Sequence, residues 1–130
     1  MTLRLAYYGD DFSGSADVME VLAQAGVPTR LYLDPPGAAE VAGLEAVGVA
    51  GVSRSLPMAE MESVLRPVFE RLKELGAPLV HYKVCSTFDS SPTVGSIGKA
   101  LDVGAEVFGG PCVPLVVGAP ALGRYVAFGN

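Results

Sequence analysis

Asp10 and Asp11 stand side by side between an apolar run, Leu3–Tyr8, and an apolar-rich helical pattern that starts at Gly14. Adjacent carboxylates are costly to hold at a strand end unless a cation, a proton or a basic side chain compensates them. In an open parallel sheet that edge is where ligands bind, so the pair marks a ligand rim, with a metal or phosphate site among its readings. Ser13, Gly14 and Ser15 follow at the start of the helical pattern, where free backbone N–H groups favour an anion. Ser13 or Ser15 reads equally well as a helix cap.

Three later stretches carry similar chemistry. They are Ser53-Arg54-Ser55, then Lys83 with Cys85 to Ser91, then Gly118 to Arg124. Arginine grips a carboxylate bidentately, lysine supplies a point charge, and Ser or Asp reads hydroxyls. If Arg54, Lys83 and Arg124 meet the two acids, the ligand is small, polar, anionic and hydroxylated. Cys85 has no visible base partner and reads as a packed thiol. His81, inside a strand pattern, reads as structural.

The elements that must position these groups alternate. Strand patterns cover Leu3–Tyr8, Thr29–Leu33, Leu44–Val52, Leu79–Val84 and Val113–Val117. Helical patterns cover Gly14–Ala25, Met58–Leu75 and Thr93–Phe108, with a short helical turn over Ala38–Ala42. Met58, Met61, Val64, Leu65, Val68, Phe69, Leu72 and Leu75 recur at three- and four-residue steps and form one apolar stripe. Pro67 falls inside that stripe and predicts a kink or a late helix start. The alternation implies an α/β, doubly wound, mostly parallel five-stranded sheet, flavodoxin- or Rossmann-like in three layers, and the order 2-1-3-4-5 suits it. The four chemistry-bearing loops then share the rim at the carboxyl ends of the strands.

Bulk properties narrow the function. The 130 residues suit one domain, and with 50% hydrophobic and 18% charged residues they suit a packed core. A net charge of −5 with scattered Lys and Arg speaks against a nucleic-acid surface. No apolar run spans a membrane. No secretory h-region follows Met1, so Cys85 and Cys112 read as free thiols of a reducing cytoplasm. Gly95-Ser96-Ile97-Gly98-Lys99-Ala100 imitates a phosphate loop, but Thr93 and Ala100 stand where Gly and Ser or Thr are needed. No GxGxxG follows the first strand. A receiver domain would need an aspartate where the third strand ends in Val52-Ser53.

Gly9-Asp10-Asp11-Phe12-Ser13-Gly14-Ser15-Ala16-Asp17 resembles the "ADDxTGAxD" opening of the four-carbon acid sugar kinases. Lys83-Val84-Cys85-Ser86-Thr87 is similar to that family's "KxDST" block. Gly118 to Arg124 is similar to its "APAFPAxGR" block, and Ser53-Arg54 sits at its Ser-Arg loop. The resemblance implies a sugar-acid-binding N-terminal domain over residues 1–130, and an ATP-dependent kinase that phosphorylates a terminal hydroxyl. ATP and Mg2+ would come through a C-terminal domain, expected to be absent from this chain, so the chain alone should not turn over ATP. By position, Asp10 and Asp11 would hold or activate the hydroxyl. Arg54, Lys83, Ser86 and Arg124 would bind the acid end, with Ser13, Gly14, Thr87 and Gly123 in the same motifs. No metal site is expected within the chain, and a homo-oligomer is left open.

Cys85, Asp89 and Ser90 depart from the usual "KxDSTxRG" continuation. Losing a cation and gaining an anion there should alter which acid fits. The variant is similar to the subgroup acting on branched oxo-sugar acids such as 3-oxo-isoapionate. The competing reading is a non-catalytic sugar-acid-binding or regulatory module. Because strand-end acids on an open cleft add little to a core, Asp10→Asn or Asp11→Asn is expected to cost catalysis far more than folding.

Overall fold

A computed structural model of the chain describes residues 2–128. Four parallel strands form one sheet in the order β2-β3-β1-β4. They are β1 (Leu5–Gly9), β2 (Thr29–Tyr32), β3 (Ala46–Ala50) and β4 (Leu79–Lys83). Three helices accompany them: α1 (Phe12–Gln24), α2 (Met58–Glu74) and α3 (Ile97–Phe108). Short 3-10 turns occupy Ser53–Ser55 and Pro120–Leu122. Residues 38–43 form turns where a short helix was expected.

The order differs from the expected 2-1-3-4-5, because β3 lies between β1 and β2. Side-chain complementarity explains the pairing of β1 with β3. The Tyr7 ring lies over Gly48, where a Cβ would sit 2.1 Å from the ring, and the Tyr8 hydroxyl lies 1.9 Å from a Cβ at Gly51. Two tyrosines of β1 thus need glycines alongside, and the β3 segment supplies both. Strand β2, with exposed Arg30, takes an edge.

The α1 helix covers one face of the sheet. On the other face, Ala6, Tyr8, Val47 and Val49 pack against Met61, Leu65, Phe69 and Leu72 of α2 and Ala100, Val103 and Val107 of α3. Phe69 sets its edge on the stacked pair Tyr8–Tyr82. Helix α2 runs unbroken through Pro67. The lost donor costs one bond, and the buried stripe on the same helix holds the rest.

The fifth strand is not formed. Residues 113–117 join no ladder, and Leu115 and Val116 are 56% and 79% exposed. Pro114 removes a ladder donor from this short run, and proline is tolerated only at sheet edges. The outer edge of β4 carries no further strand among the described residues. No helix among them is long and apolar enough to cross a membrane.

Candidate functional site

The register decides where the chemistry falls. Gly9 pairs level with Ala50 on one side and Lys83 on the other, so three strands end at one height. Backbone bonds then tie the loops together beyond the sheet. Asp10 N–H donates to the Lys83 carbonyl at 2.9 Å, Gly51 N–H to Gly9 at 2.9 Å, and Arg54 N–H to the Asp10 carbonyl at 3.2 Å. Asp10, Asp11, Arg54 and Lys83 lie together at this edge.

The two aspartates are held in opposite ways. Asp11 caps α1, its Oδ1 accepting from Gly14 N–H at 2.9 Å. Its Oδ2 faces Arg54 Nη1 at 3.4 Å, a loose ion pair between side chains 24% and 35% exposed. Asp10 is only 3% exposed, and its Oδ1 is buried with no hydrogen-bond partner among the described residues. Burial pushes the Asp10 carboxyl above its ordinary value; the Cys85 backbone N–H opposes this, the Asp11 charge adds to it, and Lys83 and Arg54 oppose it. The expected picture of two open-cleft acids is therefore corrected: Asp11 is a helix cap and Asp10 belongs to the interior.

Gly14 explains how closely the groups approach. A Cβ there would lie 2.5 Å from Asp11 Oδ1 and 2.9 Å from Lys83 Nζ. Lys83 thus crosses the start of α1 beside Asp11, with its ammonium donating to the Val84 carbonyl at 2.6 Å. Ser13 is exposed in the first turn of α1. Ser15, by contrast, is buried, its hydroxyl donating to the Asp11 carbonyl at 2.6 Å. The rim therefore presents Arg54, Lys83, Ser13 and a helix N-terminus around one carboxylate, an arrangement that takes an anion beside hydroxyls.

The loop after β4 is a second bank of hydroxyls. Ser86 is exposed, and Thr87 Oγ1 donates to Asp89 Oδ2 at 2.6 Å. Hydrogen bonds from Thr87 pull the Cys85 thiol below its usual value. Phe88 takes a φ of 55° where its N–H closes a turn onto the Cys85 carbonyl.

Gly123 and Arg124 are not brought to the rim. They close a small turn of their own, in which Ala119 and Arg124 exchange two backbone bonds. Arg124 is exposed, and no described hydrogen bond or ion pair links it to Asp10, Asp11 or Lys83. Without a fifth strand, nothing carries this turn to the common edge.

Sequence reasoning named Ser53 beside Arg54 but missed its partner, Tyr82. Ser53 Oγ and the Tyr82 hydroxyl are 2.8 Å apart, with Ser53 buried and Tyr82 half-buried. The strand alternation places Tyr82 on the face opposite Lys83, which was the available signal.

ATP and Mg2+ were expected through a C-terminal domain and not on the residues of this chain. Among the described residues no three His, Cys, Asp or Glu side chains gather as a metal site. Both Asp11 oxygens are engaged, and Asp10 is enclosed. The phosphate-loop imitation is structural throughout, since Ser96 Oγ caps α3 and Lys99 Nζ pairs with Glu62 at 2.5 Å.

The chain is thus a parallel α/β domain with basic and hydroxyl side chains at the carboxyl edge of its sheet, and residues 5–130 match the family described as "Sugar-binding N-terminal domain". The chain belongs to that family. It is 53% identical to the 3-oxo-isoapionate kinase of Paraburkholderia graminis over 98% of this chain and 28% of that protein. It is 37% identical to the 3-oxo-tetronate kinase of Methylobacterium radiotolerans, over the whole chain and 31% of that protein. The chain thus spans less than a third of the length of these relatives. Among solved structures, one from Salmonella typhimurium superposes with a TM-score of 0.73 at 32% identity, over 82% of this chain and 25% of the other. A domain from Bordetella bronchiseptica, solved with citrate as a domain-swapped dimer, gives 0.71 at 26% identity, over 84% and 28%.

Proposed function

We propose that this domain holds a short sugar acid on its rim as the substrate-binding part of an ATP-dependent kinase. The observation that carries the reading is the meeting of Arg54, Lys83 and the α1 N-terminus around Asp11. In this reading Arg54 and Lys83 take the carboxylate of the ligand, while Ser13, Ser86 and Thr87 read its hydroxyls. Asp11 orients the hydroxyl to be phosphorylated, and Asp10 shapes the field behind it. Phosphoryl transfer asks mainly for such positioning and charge stabilisation.

The kinase names of the relatives and the citrate in the Bordetella neighbour support an acid ligand and a transferred phosphoryl group. The identity to the Paraburkholderia enzyme favours a branched oxo-sugar acid, and Asp89 beside Thr87 is the local feature that would tune that choice. ATP and Mg2+ would be held by the remainder of a longer protein, whose approach would also bring Arg124 into use. The two free thiols fit a reducing cytoplasm.

The second reading is a binding or regulatory module without chemistry, which would use the same rim to sense an anionic sugar. Calorimetric titration of this domain, with ATP-consumption assays on the protein carrying its downstream sequence, against four- and five-carbon sugar acids decides between them. Binding with turnover is expected. Binding without turnover leaves the module, and no binding of any acid overturns both.

A further inference from the structure

The loop that leaves β4 does more than present hydroxyls. Its last residues fold back onto the Arg54 turn and lock its backbone from behind. Pro57 and Val94 form an antiparallel bridge, Met58 N–H donates to the Thr93 carbonyl at 2.8 Å, and Gly95 N–H donates to the Leu56 carbonyl at 2.9 Å. Ser91 holds the returning strap in shape. Its Oγ accepts from Thr93 N–H at 3.2 Å and from Val94 N–H at 2.8 Å, and donates to the Val94 carbonyl at 2.8 Å.

Gly95 is where this strap meets Arg54. A Cβ at Gly95 would sit 2.2 Å from the Arg54 carbonyl oxygen, 2.9 Å from its carbon and 3.2 Å from its Cα. The residue also takes a φ of +59°, which only glycine adopts without cost. On the other side, Arg54 N–H is bonded to the Asp10 carbonyl. The Arg54 backbone is therefore held between the end of β1 and a glycine that no other residue can replace in the same place. The guanidinium reaches Asp11 from that fixed base.

We propose that Gly95 is a positioning residue for Arg54, and through it for the anionic end of the ligand. The inference rests on the sugar-acid reading of the rim for its functional half. Its structural half, that the Arg54 guanidinium is aimed at Asp11 by the Gly95 contact, stands independently. Glycine is required here for space as well as for its dihedral angle. A matched control separates the two, because Gly109 has a φ of +69° with nothing within 4 Å of a Cβ.

The test uses Gly95→Ala, Gly109→Ala, Ser91→Ala and Arg54→Ala, with thermal unfolding to confirm that each variant is folded. Arginine side-chain NMR of the ligand-free protein reads the Arg54–Asp11 contact, and calorimetry with D-erythronate as the probe reads affinity. Gly95→Ala is expected to shift or broaden the Arg54 side-chain signal and to weaken erythronate binding about ten-fold or more. It should add no further loss in the Arg54→Ala background. Gly109→Ala should carry the strain of a positive φ while leaving signal and affinity unchanged. If Gly95→Ala does not fold, Ser91→Ala takes its place, with the same changes at smaller size. An unchanged Arg54 signal in the folded strap variant overturns the proposal, as does an equal affinity loss with and without Arg54. If the unaltered domain binds no sugar acid, the functional reading fails, and the NMR signal still decides whether Gly95 aims Arg54.

Discussion

The rim beyond β1, β3 and β4 and the stretch from Pro111 to Phe128 each carry an arginine among small and polar residues, and they are held in opposite ways. Arg54 springs from a backbone bonded to Asp10 on one side and pressed by Gly95 on the other. Arg124 springs from a turn that bonds only to itself, in a stretch whose large apolar side chains Val113, Leu115, Val116, Leu122 and Tyr125 are all exposed. A charged side chain becomes a binding group when its backbone is immobilised by groups it does not itself supply. Otherwise ordering it costs conformational entropy at the moment of binding.

The largest expected effect lies under the rim. Gly48→Ala forces a methyl into the Tyr7 ring, which is buried and donates its hydroxyl to the Ser15 carbonyl at 3.1 Å. Overpacking of this kind costs about 1–3 kcal/mol or more, and a clearly lowered midpoint of chemical denaturation is the expected result. An unchanged midpoint would mean that the β1–β3 pairing is not held by these glycines.

Next comes Asp11→Ala, which removes the cap of α1 and the partner of Arg54 together. A loss of about 1 kcal/mol in stability is expected from the cap alone. Sugar-acid affinity should fall with it, and the calorimetric titration that measures this separates the rim from a mere helix end.

The pH dependence sharpens the contrast between the two acids. The Asp10 carboxyl is held above its ordinary value of 3.8 by burial. Between 3.8 and its raised value the folded chain therefore binds more protons than the unfolded one, and stability falls as pH rises through that window. Asp10→Asn should abolish this part of the slope and unfold at a higher denaturant concentration near neutral pH. Denaturation curves of both proteins across the acid range check the sign, and a steeper loss in Asp10→Asn would refute it.

The smallest effect is expected in the unanchored stretch. Removing residues 111–128 should change stability by no more than about 0.5 kcal/mol, since exposed surface contributes little. Arg124→Ala should leave sugar-acid affinity of this domain within about two-fold, whereas Arg54→Ala should lower it at least about ten-fold. Equal losses from both arginines would erase the distinction between the regions.

Much of this was legible beforehand. Met58 to Leu75 announces α2 through its stripe, and Leu3–Tyr8 followed by Asp10-Asp11 announces a strand that ends in chemistry. Val113–Val117 looked equally like a strand, and the same reasoning would have sent Arg124 to the rim. Local pattern could not separate the two, because a strand exists only when a neighbouring edge accepts its backbone. The strand order was hidden for a related reason: it rests on Tyr7 over Gly48 and Tyr8 against Gly51, pairs some forty residues apart.

The sequence by itself determined an α/β chain whose acids, arginine and lysine close three of its strands, because apolar periodicity and breaker residues are local properties. Only the tertiary structure decided that Asp10 is enclosed while Asp11 caps a helix, and that Arg54 is aimed while Arg124 is not. Burial, register and the space left by a glycine are properties of distant segments meeting, and no window of neighbouring residues contains them.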